Sequence, residues 1–246
     1  MGNPRWKSYR VCHLETDLWI AVSAESYNYA AENYSMERIL FYRNILDNHI
    51  QEFPDFLTSL TPVPKRSETN PLIHDMYRAS EKAGTGPMSA VAGAVAEYIC
   101  KDLQTKFRFQ EVVVENGGDI FINLTHPATI SVHAGSSPLS EKIGLLIKPE
   151  QTPISVCCSS GTEGHSLSFG TADACVVACH SGALADAFAT AGCNEVKNPD
   201  MVISVTEHML QKPEIISVVI IKDDRVGIGG KIEITVVDDK IVRDLS

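Results

Sequence analysis

Three short segments of the sequence combine carboxylate, hydroxyl, imidazole and glycine groups in patterns that could do chemistry. The last of them, Ser181 to Ala191, carries Asp186 and Thr190 four positions apart among small residues, mostly alanine. On a helix this spacing places a carboxylate and a hydroxyl on one face. Two hard oxygen donors suit Mg²⁺, which is typically held by one or two protein oxygens together with substrate phosphates. The alternative is structural: an aspartate favoured by the helix dipole and a threonine bonded to the preceding turn.

A second segment, Cys158 to Gly170, is a polar loop predicted to follow directly on a strand. It holds four serines, a threonine, three glycines and His165, so it offers many hydroxyl and amide groups and one side chain that titrates near neutral pH. It lacks the Gly-Lys-Ser/Thr ending of a P-loop and the Gly-x-Ser-x-Gly elbow of serine hydrolases. A polar loop without a ligand remains the alternative.

The third segment, Glu115-Asn116-Gly117-Gly118-Asp119, lies between two predicted strands. Its two glycines permit positive φ angles and leave the backbone bare, so that a flat or phosphorylated ligand could approach the amides. Asn-Gly is also a strong hairpin signal. The segment alone does not decide between the two.

Helices must position these groups, and apolar spacing predicts where they lie. Ser35 is expected to cap the first helix, Asn70 the second and Asn198 the last. The helix that opens at Gly86-Pro87 is crowded with small residues around Gly93, so another backbone, a ligand or a second subunit could approach it closely. The helices are expected at residues 35–53, 71–83, 87–103, 181–192 and 199–210.

Short apolar runs predict strands in the remainder of the chain. They lie at residues 17–22, 112–114, 120–124, 129–133, 143–147, 154–158, 174–178, 215–221 and 231–237, and a last short strand follows Asp238-Asp239. Runs of strands with segregated helices favour a layered α+β domain over a regular βαβ alternation.

Composition narrows the class of protein. The chain has 246 residues and a net charge of −10, so it has no general attraction for nucleic acid or anionic lipid. Without an apolar run of about 20 residues or a signal peptide, we expect a cytoplasmic protein with no membrane partner. Seven cysteines with no Cys-x-x-Cys pair are expected to be reduced and buried. On a strand, Cys175 and Cys179 would be about 13 Å apart, too far to share a metal.

Together and in this order, the three segments resemble the ApbE family of Mg²⁺-dependent FAD:protein FMN transferases. The matching residues are Gly117-Gly118-Asp119, then Ser159-Ser160-Gly161 followed by His165, then Ala185-Asp186-Ala187 ending in Thr190-Ala191. The resemblance spans residues 85–195. A short, uncharacterised ApbE-related family is still more similar, through Gly86 to Gly93, Glu115 to Ile120 and Ser159 to Gly170.

The resemblance implies a single ApbE-like domain over residues 1–246, with N-terminal strands and a helix in 1–66 and the core in 67–246. Mixed and antiparallel strands with packed helices would frame a nucleotide cleft. It implies FAD as the ligand, Mg²⁺ on Asp186 and Thr190, and His165 in proton transfer, while a protein hydroxyl displaces AMP from FAD. The residues implied to contact the cofactor are Gly117, Gly118, Asp119, Ser159, Ser160 and Gly161.

The sequence also departs from ApbE enzymes. The run from His165 to Gly170 lacks their aspartate and proline, Ala92 stands where they have lysine, and Glu97 stands where they have aspartate. Catalysis is therefore left open. The alternatives are a non-catalytic flavin or nucleotide-binding protein, and a factor of sulfur assimilation, from sulfide towards homocysteine, in anaerobes. A homodimer through the small-residue helix near Gly93 is a further expectation.

Overall fold

The computed structural model describes residues 5–66, 70–161 and 170–237. Strands and helices alternate irregularly along the chain. The strands are β1 Trp6–His13, β2 Thr16–Ser23, β3 Val112–Asn116, β4 Asp119–Asn123, β5 Ala128–Ser131, β6 Ile143–Ile147, β7 Ile154–Ser159, β8 Ala174–Cys179, β9 Ser217–Lys222, β10 Arg225–Gly230 and β11 Glu233–Val236. The helices are α1 Ala30–Glu52, α2 Asp55–Thr58, α3 Pro71–Ala83, α4 Val91–Phe107, α5 Gly182–Glu195 and α6 Val202–Met209.

The strands form two antiparallel sheets. The large sheet has the order β1-β2-β3-β4-β7-β8-β9-β10, and the small sheet has the order β11-β6-β5. Because β1 and β2 pair into the same sheet as the later strands, the boundary expected at residue 66 does not separate two sheets. The division of the chain into domains stays a prediction.

The two sheets and the helices stack in three layers. Side chains on a strand alternate between its two faces, so Val112 and Val114 pack under the helices while Val113 packs towards the small sheet. We call these the helix face and the small-sheet face of the large sheet. A layered α+β fold of mixed or antiparallel strands with packed helices was predicted, and it is confirmed; the paired strands are antiparallel.

Two strands were missed, and both are at an edge of the large sheet. β1 reads WKSYRVCH, in which Tyr9 and Val11 alone are buried, and β10 reads RVGIGG. An edge strand has a neighbour on one side only and presents charged or small residues on its open faces. Its sequence therefore lacks the sustained apolar pattern that revealed the central strands.

The helix ends were predicted with mixed success. Asn70 caps α3, since its Oδ1 accepts from the N–H of Leu72 at 3.0 Å, and Gly84 ends the helix with φ +74°. Asn198 caps a 3₁₀ turn at Pro199–Met201 that leads into α6. The cap at Ser35 is wrong: α1 begins at Ala30. Ser35 is instead buried inside the helix, with its hydroxyl 3.0 Å from that of Tyr9.

Three further expectations concern the cysteines, membrane-spanning helices and the last strand. All seven cysteines are free, and five of them are buried. Within residues 5–66, 70–161 and 170–237, every helix is too short or too polar to cross a membrane. The last strand expected after Asp238-Asp239 lies outside the described residues.

Candidate functional site

The site is organised by a close crossing of α4 and α5 at two glycines. A Cβ atom on Gly93 would lie 2.3 Å from the carbonyl oxygen of Gly182, and one on Gly182 would lie 2.1 Å from that of Gly93. Such distances exclude any side chain at either position. The close approach expected near Gly93 is therefore made by a helix of the same chain. Gly93 is not available to a second subunit, and the homodimer stays a prediction without this contact.

Each of the two crossing helices carries a carboxylate that caps the other. Asp186 of α5 accepts from the N–H of Gly93, in the first turn of α4, with its Oδ2 at 2.9 Å. Glu97 of α4 accepts from the N–H of Gly182, the first residue of α5, with its Oε2 at 2.6 Å. The first amides of a helix lack partners within it and favour negative charge. The two carboxylates therefore hold the helix starts together.

The segment between β3 and β4 is a hairpin, as its Asn-Gly signal indicated. Asn116 pairs with Asp119 across the turn, and Gly117 and Gly118 have φ angles of +63° and +100°. Asn116 also donates from Nδ2 to the carbonyl of Ala92 at 3.1 Å. The turn is thus fastened to the start of α4, beside Gly93, so the hairpin and the functional interpretation are compatible.

The hairpin and α5 bring two carboxylates together on the helix face. Asp119 is buried, and its Oδ1 accepts from the backbone N–H of Cys158 at 3.2 Å. Burial and the negative charge of Asp186 raise the pKa of Asp119 well above its usual range. Burial also raises the pKa of Asp186 to about 7, although backbone N–H groups of Gly93 and Ala92 counteract this. We call Asp119 and Asp186 the carboxylate pair.

A buried thiol lies against the carboxylate pair. Burial, together with the charges of Asp119 and Asp186, raises the pKa of Cys157 well above its usual range. Its Sγ lies 3.8 Å from the carbonyl oxygen of Gly182 and 3.3 Å from the hydroxyl of Ser155. Since a thiolate is the reactive form of cysteine, the raised pKa disfavours the reactive form of Cys157.

The donor set at the carboxylate pair fits a hard divalent cation. A carboxylate offers about four acceptor positions. Asp186 accepts from the backbone N–H groups of Gly93 and Ala92, and Asp119 accepts from the N–H of Cys158 and the thiol of Cys157, so each keeps capacity for a cation. Thr190 is buried one turn after Asp186 on the same helix. No group of three or more His, Cys, Asp or Glu that could hold a metal is found in the described part of the chain. A metal here would need phosphate or water ligands as well, which is the habit of Mg²⁺.

The side chain of Ser159, the last residue of β7, lies on the same face of the large sheet as the carboxylate pair. Ser159 is buried, and its hydroxyl has no hydrogen-bond partner among the described residues, which is costly unless a ligand or water satisfies it. Gly161 continues from β7 and donates to the carbonyl of Ala172 at 2.9 Å. A Cβ there would lie 2.2 Å from the carbonyl oxygen of Gly170. Chain packing therefore requires this glycine, whatever its part in binding.

The structure brings several of the expected site residues together. Asp119 and Asp186 lie close to each other, the side chain of Ser159 lies on the same face of the sheet, and Gly117 and Gly118 form the adjoining turn. Ser160 and Gly161 continue the chain beyond the end of β7. His165 lies outside the described residues. Sequence reasoning missed the caps made by Glu97 and by Asp186. The small residues around both Gly93 and Gly182 were the signal that could have paired the two helices.

Comparison with known proteins shows the family to which the chain belongs. The protein family described as AbpE bacteria matches residues 2–214. The chain belongs to this family. The resemblance to ApbE proteins, drawn from the three motifs, is thereby confirmed.

Curated relatives of this AbpE-family protein are similar over nearly their whole length. A UPF0280 protein of Methanocaldococcus jannaschii is 37% identical over 240 residues, which are 96% of this chain and 95% of that protein. A UPF0280 protein of Methanococcus aeolicus is 36% identical over 239 residues, 95% of this chain and 94% of that protein. The similarity between the AbpE-family protein and these relatives therefore extends over nearly the full length of both chains.

Solved structures of ApbE proteins share the fold. A mutant of the flavin transferase ApbE from Vibrio cholerae has a TM-score of 0.57 at 13% identity, covering 96% of this chain and 98% of that one. The flavinyl transferase ApbE from Pseudomonas stutzeri has a TM-score of 0.54 at 12% identity, covering 98% of both chains. At such low identity the likeness establishes the fold of the AbpE-family protein alone. Its chemistry has to be argued from the residues of the site.

Proposed function

We propose that this AbpE-family protein binds a flavin nucleotide, FAD in the first place, in a Mg²⁺-dependent manner and uses it as the donor in FMN or nucleotidyl transfer. The observation that carries the proposal is the carboxylate pair. Asp119 and Asp186 come from different elements, are close enough for the charge of one to raise the pKa of the other, and lie beside a turn of two glycines. Like charges held together in this way are relieved by a bound cation.

The residues would divide the work of binding between them. Asp186 and Thr190 would hold Mg²⁺, as the resemblance implies, and Asp119 faces them from β4. The Mg²⁺ would supply charge neutralisation at the pyrophosphate of the nucleotide. Gly117 and Gly118 would let the ligand approach the backbone closely, and the hydroxyl of Ser159, with Ser160 and Gly161, would donate to its oxygens.

Two further expectations complete the proposal. His165 would move the proton of an acceptor hydroxyl on a protein substrate, since an imidazole titrates near neutral pH. We expect the reaction to take place in the cytoplasm, on a protein acceptor, without nucleic acid or membrane. The likeness in fold to the flavin transferase ApbE of Vibrio cholerae and the flavinyl transferase ApbE of Pseudomonas stutzeri supports this choice of reaction over other uses of a nucleotide.

A second candidate is binding without transfer. The residue that favours it is Ala92, which stands where ApbE enzymes have a lysine. Ala92 contributes backbone contacts alone to the site, since its N–H donates to Asp186 and its carbonyl accepts from Asn116. The sulfur-assimilation alternative gains no support from the thiols at the site, because burial raises the pKa of Cys157 and Cys158.

Calorimetric titration of FAD, FMN, ADP and AMP into the protein tests the proposal. We expect binding with Mg²⁺, tightest for FAD, and loss of that binding in EDTA. If FAD binds but neither FMN nor AMP is transferred to added protein acceptors, binding without transfer replaces the first candidate. If none of the four ligands binds with Mg²⁺, both candidates are wrong.

A further inference from the structure

A cavity lies on the small-sheet face of the large sheet, away from the carboxylate pair. Its volume is about 660 Å³, within the range of small-molecule sites. Its floor is formed by alternate residues of the first four strands, among them Trp6, Trp19, Val113 and Ile122. Because successive side chains of a strand point to opposite faces, these residues cannot share the site of Asp119. We call this space the tryptophan cavity.

The cavity exists because the small sheet covers one part of the large sheet. The order β11-β6-β5 ends at β5, whose residues Ala128 to Ser131 form the wall of the cavity. Beyond this wall, Trp6 and Trp19 remain partly exposed. The apolar face of β1 to β3 is thus left open beside an unpaired edge strand.

The charged groups of the cavity are already paired. Arg10 and Asp17 form an ion pair across β1 and β2, with Nε 2.6 Å from Oδ1. Glu115 accepts from the N–H of Gly118 with its Oε1 at 2.6 Å. One positive and two negative side chains therefore line the space, in a protein of net charge −10. This balance disfavours an anion such as a phosphate and admits an uncharged ligand.

The apolar and polar groups of the cavity suit a flat ring with polar edges. Indole rings stack on other aromatic rings and offer an N–H donor. The guanidinium of Arg5 lies over the ring of Trp6, with its Cζ 4.5 Å from the centroid, which holds that indole in place. The hydroxyl of Ser131, a residue of the cavity wall, is shielded from water and has no partner among the described residues.

We propose that the tryptophan cavity is a binding site for an uncharged, planar heteroaromatic ring. This site is separate from the carboxylate pair and independent of Mg²⁺. It goes beyond the proposed function, because neither Asp186 nor Thr190 takes part in it. The β3–β4 turn borders both sites, with Gly117 at the cavity and Asp119 at the carboxylate pair.

The chain provides its own probe of this site. It contains two tryptophans, Trp6 and Trp19, and both line the cavity, so emission excited at 295 nm reports on this place. Riboflavin is a suitable ligand to add, since it is uncharged and planar, and FMN differs from it by a phosphate. In EDTA we expect saturable quenching by riboflavin, and binding of FMN at least tenfold weaker.

Variants locate the ring. Ala128→Phe fills the cavity and should weaken riboflavin binding at least tenfold, while Ala30→Phe, at the exposed start of α1, should leave it unchanged. Trp19→Leu removes one stacking surface and should weaken it three- to tenfold by calorimetry; this variant serves if Ala128→Phe fails to fold. Asp186→Asn should have no effect on it.

The proposal fails on any of three results. Absence of saturable quenching and of binding heat with riboflavin would exclude a ring site. Loss of riboflavin binding in Asp186→Asn, with Ala128→Phe unaffected, would place the ring at the carboxylate pair. Binding that begins only after residues 238–246 are deleted would assign the cavity to the chain's own C-terminal residues. None of these results depends on whether FAD binds with Mg²⁺.

Discussion

Asp186 and Glu97 cap each other's helices. Asp186 of α5 accepts from the N–H of Gly93 in α4, and Glu97 of α4 accepts from the N–H of Gly182 in α5. The exchange depends on the absence of side chains at both glycines, which lets the two helices approach until the carboxylates reach the opposite backbone. Asp186 thus has a structural role, capping α4, that is independent of any metal. This role also places Asp186 against Asp119.

Substitutions can separate the structural role of Asp186 as a helix cap from its proposed role as a metal ligand. Asp186→Asn keeps an acceptor for the N–H of Gly93 but removes the charge, so we expect loss of Mg²⁺-dependent FAD binding with a free energy of unfolding within about 1 kcal/mol of the unaltered protein. Asp186→Ala also removes the cap and should cost about 1 to 2 kcal/mol of stability. Calorimetry and urea unfolding measure the two effects.

The matched control is Glu97→Gln, which alters the other cap outside the proposed metal site. We expect it to bind FAD with Mg²⁺ about as tightly as the unaltered protein. An Asp186→Asn variant with undiminished Mg²⁺-dependent affinity for FAD would show that this carboxylate does not hold the metal.

Gly93→Ala tests the helix crossing. The added Cβ would meet the backbone of α5, which cannot move aside as a flexible side chain could, so we expect destabilisation of about 3 kcal/mol. Gly117→Ala provides the contrast, because its Cβ would meet nothing within 4 Å and the cost is the positive φ alone, about 1 kcal/mol. Equal losses in urea unfolding would contradict the close crossing.

Glu111 provides a prediction about pH. It is buried, which alone would raise its pKa, but hydrogen bonds from Arg5 and Thr125 lower the pKa to about 2. A carboxylate with a lowered pKa stabilises the folded state above its unfolded pKa, near 4.5, and loses that contribution as the pH falls towards 2.

We therefore expect Glu111→Gln to lower the free energy of unfolding by about 2 kcal/mol at pH 7. The difference from the unaltered protein should shrink as the pH falls from about 4.5 towards 2. Glu207→Gln, at an exposed position of α6, is the control and should show neither effect. A difference that stays constant down to pH 2 would refute the assignment.

His165→Ala tests the proposed proton transfer. If the protein transfers FMN, this variant should lower the turnover rate by about 10²-fold or more while the Kd for FAD changes little. Rapid-mixing assays of transfer and calorimetry of FAD measure the two quantities. Equal loss of binding and turnover would make His165 a binding residue.

Local signals in the sequence determined most of the elements. Asn70 with Pro71 and Gly84 determined both ends of α3, because a cap, a fixed φ and a left-handed residue act within a few positions of the chain. The central strands of the large sheet were equally clear, since each contains an uninterrupted or nearly uninterrupted apolar run, such as Val112 to Val114 in β3 and Ala174 to Cys179 in β8. The edge strands β1 and β10 were missed because one side of each meets solvent.

The motifs also named the site residues without showing how they are related. Asp119 and Asp186 are 67 positions apart, and nothing local to either residue shows that they face each other. The tertiary structure decided this, because the crossing at Gly93 and Gly182 brings the start of α5 against the β3–β4 turn. It also decided that Ser35 lies inside a helix and that both tryptophans share a cavity on the opposite face. Contacts of this kind depend on how whole elements stack, and the spacing of residues within one element carries no information about that.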